Sequence, residues 1–244
     1  MRSVWGVPVL QDPAHIYDGH PSGRMANVEL TLPGSIMVNS AGRRFVNEAV
    51  NYHDLNKVFR TIDPNTGEHA NIPAWLVVDA AYVSRYSIGG TPAGQVPSWA
   101  TTGGTLADVA TACGLDPDGL TATVAEFNRH AANGRDPLFH RGESAQDRYL
   151  GDARRPHPCL APLTAAPYHA IPIRPGTLGT CGGLVTDDDG RVLDRAGRPV
   201  GGLFAAGNVS ATVFADAYPG GGATLGSAVT RAYAAGRALA ADLP

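Results

Sequence analysis

The sequence predicts an α+β fold, and three observations support that prediction. Apolar runs of strand length, such as Trp75–Val78, stand between turn-forming residues. Two segments near the middle of the chain carry paired start and stop signals of helices. The C-terminal segment repeats small and apolar residues at three-and-four spacing, which is typical of a helix.

The first part of the chain is predicted to contribute a hairpin, a buried strand and a short helix. Residues 1–34 are irregular, with prolines at positions 8, 13, 21 and 33. The run GSIMVNSAGRRFVNEA predicts two strands joined by a turn at Ser40-Ala41-Gly42. Trp75–Val78 is predicted to be a buried strand, and a short helix is predicted to begin at Asp79.

Capping residues delimit two helices in the middle of the chain. Thr105–Asp108 has the spacing of a capping box, and Gly114 is a stop signal. Asp116 and Pro117 then supply a cap and a first-turn proline for a second helix, which Gly134 is predicted to end. We expect both helices to have structural roles.

The last part of the chain returns to strands and closes with a helix. Asp136–Pro167 is predicted to be a loop, and YHAIPIRP, which begins at Tyr168, a strand. GGLVTDDDGRVLD predicts a hairpin that turns at Asp187–Gly190, and GGLFAAGN a short buried strand. The final helix is predicted over Ala223–Asp242, and the change in character near Tyr168 suggests a domain boundary.

Composition excludes several classes of protein. The 244 residues carry a net charge of −3 with scattered charges, so no nucleic-acid surface is expected. No apolar run is long enough to span a membrane, and the N-terminus has no secretory signal pattern. The three cysteines are widely spaced, which favours a reducing, cytoplasmic location over a disulfide framework.

Three possible metal sites are rejected on spacing, so the sequence predicts no metal. His53 and Asp54 are adjacent on a predicted helix, where neighbouring side chains point apart. His157 and Cys159 lack two further ligands. Asp187–Asp189 lacks the spacing and the distal glutamate of a calcium loop, which leaves a hairpin turn.

The run FADAYPGGGATLGSAV places Tyr218 before a proline, three glycines and a helix start. Gly220–Gly222 would let the backbone approach a flat ligand, and the helix start would present free N–H groups and partial positive charge. A reduced flavin, which carries negative charge on its pyrimidine edge, fits such a site. The alternative is a tight turn into a packed helix. No G-x-G-x-x-G fingerprint occurs in the chain.

Four segments together resemble a known family of flavoproteins. They are LPGSIMVNSAGRRFVNEAVNYHD, FNRHAANGRDPLFHRGESAQDRYLGD, GTLGTCGGLVTDDDGRVLD and GGLFAAGNVSATVFADAYPGGGATLGSAVTRAY. The chain, from about Val4 to its end, resembles the C-terminal half of the family that contains the 3-ketosteroid Δ1-dehydrogenases. Fumarate reductase flavoproteins are relatives in the wider superfamily.

The resemblance implies the domain organisation and the cofactor. Residues 1–20 would end an upstream FAD-domain segment, 21–170 would form the catalytic cap domain, and 171–244 the C-terminal part of a Rossmann-like FAD-binding domain. The N-terminal part of that domain, which carries G-x-G-x-x-G in the family, has no counterpart here. The cofactor would be FAD. Its implied contacts are Gly207, Asn208, Ala223, Thr224 and Leu225.

The resemblance also separates the two branches of the superfamily. By resemblance, fumarate reductases hold a dicarboxylate with two arginines and a histidine. The positions of these residues here hold Tyr52, Gly179 and the Tyr218-Pro219 pair. Loss of the cationic clamp removes the means of holding two carboxylates. Tyrosines at these positions suit a neutral, apolar ketone.

The implied reaction removes hydrogens from C1 and C2 of a 3-ketosteroid and passes electrons from FAD to an external acceptor. By resemblance, the Tyr218 hydroxyl and the Gly222 N–H would hold the ketone oxygen and stabilise the developing enolate. Tyr52 would be the base that takes the proton. The family supplies a second tyrosine from the upstream half, so an N-terminal FAD-binding partner is implied.

Two alternatives stay open. The chain could be a non-catalytic remnant or a docking subunit that binds no cofactor by itself. It could also be a flavin-dependent reductase of another unsaturated substrate in the same superfamily, which the missing clamp arginines argue against. In either case, Arg43 and Arg44 are expected to brace the cap hairpin.

Overall fold

The computed structural model describes residues 3–241, and these residues form two compact units. The larger unit is Val7–Gly176, and the smaller unit combines the described residues of 1–6 with those of 177–244. The predicted division at residues 20 and 170 concerns the domains of the family and stays a prediction.

Six strands form a sheet, and most of its residues belong to the larger unit. The strands are β1 (Val4–Leu10), β4 (Arg24–Met25), β5 (Ser35–Asn39), β6 (Ala74–Asp79), β7 (Thr101–Gly103) and β8 (Tyr168–Thr180). Their order is β4-β1-β8-β6-β5, with β7 paired to β8, and β5–β6 and β6–β8 are antiparallel. A separate two-stranded hairpin consists of β2 (Ile16–Tyr17) and β3 (His20–Pro21).

Six helices accompany this sheet, and together they bury both of its faces. They are α1 (Asn27–Thr31), α2 (Tyr52–Lys57), α3 (Ala80–Val83), α4 (Leu106–Cys113), α5 (Pro117–Ala131) and α6 (Ala145–Tyr149). Because side chains alternate along a strand, Leu76 joins the core cluster that contains α2 and α3 residues, and Val77 joins the cluster that contains α4 and α5 residues. The mixture of helix and strand confirms the predicted α+β class.

The elements with clear start signals in the sequence are confirmed. The strand predicted at Trp75–Val78 lies within β6, and Asp79 caps α3 by accepting from Tyr82 N at 2.9 Å. Thr105 and Asp108 form both bonds of the capping box, and Asp116 caps α5 ahead of its first-turn proline.

Four predictions for the larger unit need correction. The segment before residue 34, which is predicted to be irregular, contains the buried strand β1 and the helix α1. The turn after β5 exists, but only a Val38–Arg44 bridge follows it instead of a second strand, because Arg44 turns into a buried ionic network. Helix α5 ends at Ala131, three residues before Gly134. The predicted loop Asp136–Pro167 contains α6, which Ser144 caps.

Two glycines hold the turn after β5 against the start of α5. A Cβ built on Gly119 would overlap the carbonyl of Ala41, and one built on Gly42 would overlap the backbone of Leu120. Gly42 also has φ +65°, a conformation that favours glycine. Backbone therefore packs directly on backbone at this contact.

A buried ionic network connects distant parts of the larger unit. The Arg44 guanidinium donates to Glu48 at 2.8 and 2.6 Å and to Asp136 at 2.9 and 2.7 Å. Arg141, which is fully buried, donates to Glu48 at 3.2 Å and to the carbonyls of Leu30, Thr31 and Leu32 at the end of α1. The prediction that Arg44 braces the hairpin agrees with these contacts, whereas Arg43 is exposed.

The arginines set the protonation of the two carboxylates in this network. Burial opposes ionisation of Glu48, but the charges of Arg44 and Arg141 outweigh it and hold the pKa of Glu48 below its ordinary value. Burial likewise opposes ionisation of Asp136, and its hydrogen bonds and charge interaction with Arg44 lower its pKa. Both carboxylates are therefore ionised at neutral pH.

The smaller unit contains a two-stranded sheet and the longest helix. Its elements are β9 (Arg191–Leu193), β10 (Pro199–Phe204), a 3-10 turn at Gly207–Val209 and α7 (Ala223–Ala241). The hairpin predicted at Asp187–Gly190 is confirmed, since Thr186 and Val192 form an antiparallel bridge across the turn and Leu193 N donates to Val185 O at 2.9 Å. On its other edge, β9 pairs with β10. The strand predicted in GGLFAAGN exists as part of β10 and is exposed, because β10 has only β9 as a neighbour.

Helix α7 confirms the predicted C-terminal helix up to Ala241, and Asp242 lies outside the described residues. Its small residues pack inward: Ala228 lies against Gly207, and Ala235 against Gly190. The larger apolar side chains point outward, since Leu225 is 74% exposed and Val229 and Tyr233 are each 69% exposed. Helix α7 therefore presents an apolar outer face, defined by Leu225, Val229 and Tyr233.

Candidate functional site

The three-glycine turn before α7 has an open surface. Gly220 and Gly222 have φ values of +137° and +92°, which favour glycine, whereas Gly221 does not. Apart from each glycine's own neighbours in sequence, no atom of residues 3–241 lies within 4 Å of a Cβ built on any of the three. Packing within the described chain therefore does not explain Gly221, and the turn leaves room for a molecule to approach the backbone.

The start of α7 presents unsatisfied donors next to this turn. The first helical hydrogen bond runs from Gly226 N to Gly222 O at 2.7 Å, so the N–H groups of Thr224 and Leu225 precede the helical ladder. Ala223 N donates to Gly220 O at 3.2 Å, and within residues 3–241 the N–H of Gly222 makes no hydrogen bond. These donors and the positive end of the helix dipole suit an anionic or carbonyl oxygen.

The other predicted cofactor residues meet around a small cavity in the same unit. Gly207, Asn208 and Thr224 line a space of about 10 Å³. Gly207 has φ +72°, and the Asn208 amide lies where a side chain on Gly179 would have to be. The structure thus brings Gly207, Asn208 and Thr224 together, and Gly179 gives the Asn208 amide its space.

Tyr218 lies in an irregular segment four residues before Gly222 and is half-buried. Its ring makes an edge contact with the indole of Trp5, with centroids 4.9 Å apart and planes at 64°. Trp5 is 3% exposed. Sequence reasoning missed Trp5, because nothing in the N-terminal segment relates it to a residue more than 200 positions later.

Tyr52 lies in the larger unit, as the first residue of α2. Asn51 caps this helix by accepting from His53 N at 2.9 Å, and Tyr52 is half-buried. The predicted catalytic tyrosines thus belong to different compact units, Tyr52 to the larger and Tyr218 to the smaller.

A more spacious cavity lies elsewhere in the larger unit. It has a volume of about 560 Å³ and is lined along α5 by Phe127, Arg129 and His130, together with Arg43 and Leu138. None of the predicted site residues lines it. Arg129 forms an ion pair with Glu126, and a ring nitrogen of His130 lies 3.2 Å from the same carboxylate.

Within 3–241, no three His, Cys, Asp or Glu side chains come together as a possible metal site. No helix in this part of the chain is long and apolar enough to cross a bilayer.

Comparison with known proteins places these features in a family. Residues 3–225 match the family model described as FAD binding domain. The chain is 46% identical over 219 residues to 3-oxosteroid 1-dehydrogenase of Mycobacterium tuberculosis (strain ATCC 25618 / H37Rv), covering 85% of this chain and 38% of the relative. It is 42% identical over 242 residues to 4-oxocyclohexanecarboxylate 2-dehydrogenase of Sinomonas cyclohexanicum, covering 98% of this chain and 42% of the relative.

A solved structure agrees with this relationship. The 3-ketosteroid Δ1-dehydrogenase from Sterolibacterium denitrificans, in complex with 1,4-androstadiene-3,17-dione, matches with a TM-score of 0.90 and 37% identity, covering 99% of this chain and 44% of that one. The matched family model and these relatives define the chain as part of a flavoprotein. The chain belongs to the FAD binding domain family, and its similarity to 3-ketosteroid Δ1-dehydrogenases is confirmed.

Two facts follow for the cofactor and for the extent of the chain. FAD is the cofactor of this family, and the open glycine turn and the donors at the start of α7 fit it. The chain spans about two fifths of the length of the relatives it matches. The roles of the individual site residues stay predictions.

Substitution of the neighbouring glycines separates backbone strain from ligand approach. We expect Gly222→Ala to destabilise the smaller unit by about 1–2 kcal/mol, because its φ of +92° is unfavourable for alanine. Gly221→Ala should change stability by less than about 0.5 kcal/mol, as for a surface substitution. Urea unfolding measures both, and equal costs would contradict the assignment of strain to Gly222.

Proposed function

We propose that the chain is the cap and C-terminal part of an FAD-dependent dehydrogenase that removes hydrogens from C1 and C2 of a 3-ketosteroid. The observation that carries the proposal is the open glycine turn, in which the N–H of Gly222 makes no hydrogen bond within residues 3–241. Together with the Tyr218 hydroxyl, this backbone N–H would supply the pair of donors that a ketone oxygen needs. The relatives named for this reaction support the substrate class.

Each predicted site residue would have a separate role in the proposed reaction. Tyr218 and Gly222 would donate hydrogen bonds to the ketone oxygen, and these bonds strengthen as negative charge develops there. Tyr52 would take the proton from the carbon beside the ketone. FAD, when bound, supplies the acceptor for the hydride from the neighbouring carbon. Its contacts would come from Gly207, Asn208, Ala223, Thr224 and Leu225. Electrons would pass on to an external acceptor.

An N-terminal FAD-binding part would complete the enzyme. The relatives contain about three fifths of their length beyond the region matched. The apolar outer face of α7 supports such a partner, because large apolar side chains in contiguous positions commonly mark an interaction surface. In this proposal the matching part of the flavoprotein covers Leu225, Val229 and Tyr233.

The relatives are named for ketone substrates of different size. One relative is named for 4-oxocyclohexanecarboxylate, a single ring that carries a ketone and a carboxylate. A ketone beside a C–H bond is common to both substrates, so the same donor pair serves either. We favour the steroid, because Tyr52 and the Tyr218-Pro219 pair stand where a carboxylate clamp would need arginines. A cytoplasmic location stays a prediction.

The test is to express the chain with the N-terminal FAD-binding part of a 3-oxosteroid 1-dehydrogenase. We expect a yellow complex that reduces a dye acceptor with a 3-ketosteroid and forms the Δ1 product. Turnover of 4-oxocyclohexanecarboxylate without turnover of the steroid would identify the smaller ketone as the substrate. A complex that stays colourless with added FAD would instead support a non-catalytic remnant.

A charge on the outer face of α7 tests the partner surface. We expect Val229→Glu to leave the chain folded, because Val229 is 69% exposed, and to abolish assembly with the N-terminal part. Thr230→Glu, one residue away and also exposed, is the matched control and should assemble. Co-purification with the N-terminal part measures the difference, and equal recovery of both variants would refute this surface.

A further inference from the structure

We propose that Trp5 is a positioning residue that fixes the Tyr218 ring relative to the residues predicted to contact the flavin. The consequence for turnover rests on the function proposed above, whereas the ring contact does not. Both residues belong to the smaller unit.

Trp5 is firmly anchored. Its residue is 3% exposed, and its carbonyl accepts from the Thr177 hydroxyl at 3.4 Å. Two residues earlier, the carbonyl of Ser3 accepts from the N–H groups of Cys181 and Gly182 at 3.1 and 3.3 Å. A side chain on Gly182 would collide with Ser3, so the two segments lie in close contact. The backbone that carries Trp5 is therefore tied to the segment of Thr177–Gly182.

The segment of Tyr218 has far less regular support. Residues 211–222 form no helix or strand, and Ala215, Gly220 and Gly222 all have positive φ values. The neighbours Ala217 and Pro219 are exposed. The edge contact with Trp5 joins this segment to a buried ring, and such aromatic pairs stabilise a defined relative orientation.

Trp5 also reaches the predicted cofactor residues. The cavity of about 10 Å³ is lined by Trp5, Thr180, Asn208, Thr212, Thr224 and Arg231. A space of this size holds at most one water, so the side chains around it are closely packed. Trp5 thus lines this cavity together with Asn208 and Thr224, and its ring contacts Tyr218. It would set the distance between the ketone-binding hydroxyl and the flavin.

The ring contact can be tested on the chain alone by ¹⁹F NMR after incorporation of 3-fluorotyrosine. Tyr218→Phe identifies the Tyr218 signal. We expect Trp5→Leu to shift this signal and Trp99→Leu, in the larger unit, to leave it unchanged. If Trp5→Leu fails to fold, Tyr218→Leu observed through 5-fluorotryptophan reads the same contact from the exposed segment. An unmoved signal in either experiment would overturn the proposal.

The effect on turnover is tested in the complex with the N-terminal part. We expect Trp5→Leu to lower kcat about two- to tenfold, the factor that corresponds to loss of one aromatic pair. Trp5→Phe should retain most of the rate. If Trp5 acts through Tyr218, Trp5→Leu should have no further effect in the Tyr218→Phe background. Equal fold losses in both backgrounds would show a general structural role and refute positioning. An inactive wild-type complex would contradict the proposed function, while the NMR result would still decide the contact.

Discussion

Arg44→Met is expected to destabilise the larger unit by about 3–5 kcal/mol, the usual cost of breaking a buried ion pair by removing one partner. The substitution leaves Glu48 and Asp136 ionised in a buried site, with Arg141 as the remaining cation of the network. It also removes the guanidinium from the rings of Phe127 and Phe139, whose centroids each lie 4.9 Å away. Urea unfolding of the chain measures the change.

Arg43→Met is the matched control, because the adjacent arginine is exposed and outside this network. It should change the free energy of unfolding by less than about 0.5 kcal/mol. If the two variants unfold at the same urea concentration, the network does not brace the hairpin.

The same network predicts loss of stability in acid. The pKa values of Glu48 and Asp136 are lower in the folded chain than their ordinary values, so the unfolded chain binds protons first as pH falls. Their contribution is fully present above the unfolded pKa values, about 4.3 for Glu and 3.9 for Asp, and is lost as pH falls through the folded ones. Arg44→Met should show a smaller loss over this range. An identical pH profile in both proteins would contradict the assignment.

Tyr218→Phe is expected to lower kcat for Δ1-desaturation by at least about tenfold, because one of two donors to the developing enolate is lost. Phenylalanine retains the ring, and with it the edge contact to Trp5. Flavin content and folding should therefore be unchanged. The measurement is dye reduction by the complex of the chain with the N-terminal part, with a 3-ketosteroid as substrate.

Tyr149→Phe is the control for removal of a tyrosine hydroxyl, since Tyr149 is 79% exposed. It should retain wild-type kcat. Unchanged turnover in Tyr218→Phe would remove Tyr218 from the proposed donor pair, and a loss of flavin in that variant would assign it a role in cofactor binding instead.

Local signals in the sequence predicted part of the fold. Capping residues and a first-turn proline placed α4 and α5, because these bonds are made within a few residues. The short helix α6 was missed although Ser144 and Asp147 carry a capping pattern, because the surrounding prolines favoured a loop. The exposure of β10 depends on how many strands pair with it, which no local pattern records.

The candidate site was likewise predicted in part. The glycine run and the helix start after it were visible in consecutive residues, and the structure has both. Two contacts join segments that are distant in the sequence, and no local pattern predicts them. They are the ring contact of Trp5 with Tyr218 and the close approach of the Asn208 amide to Gly179. The buried Arg141 is a further example, since it reaches three carbonyls more than 100 residues earlier.

Gly42 and Gly119 have a consequence for attempts to re-engineer this protein. Each position excludes even a methyl group, so random libraries over the hairpin turn or the start of α5 would lose most members that vary either residue. Changes in the length of the turn would meet the same obstacle, because the opposing helix start offers no room to yield. Diversity intended to alter substrate preference is therefore better introduced elsewhere, with both glycines kept.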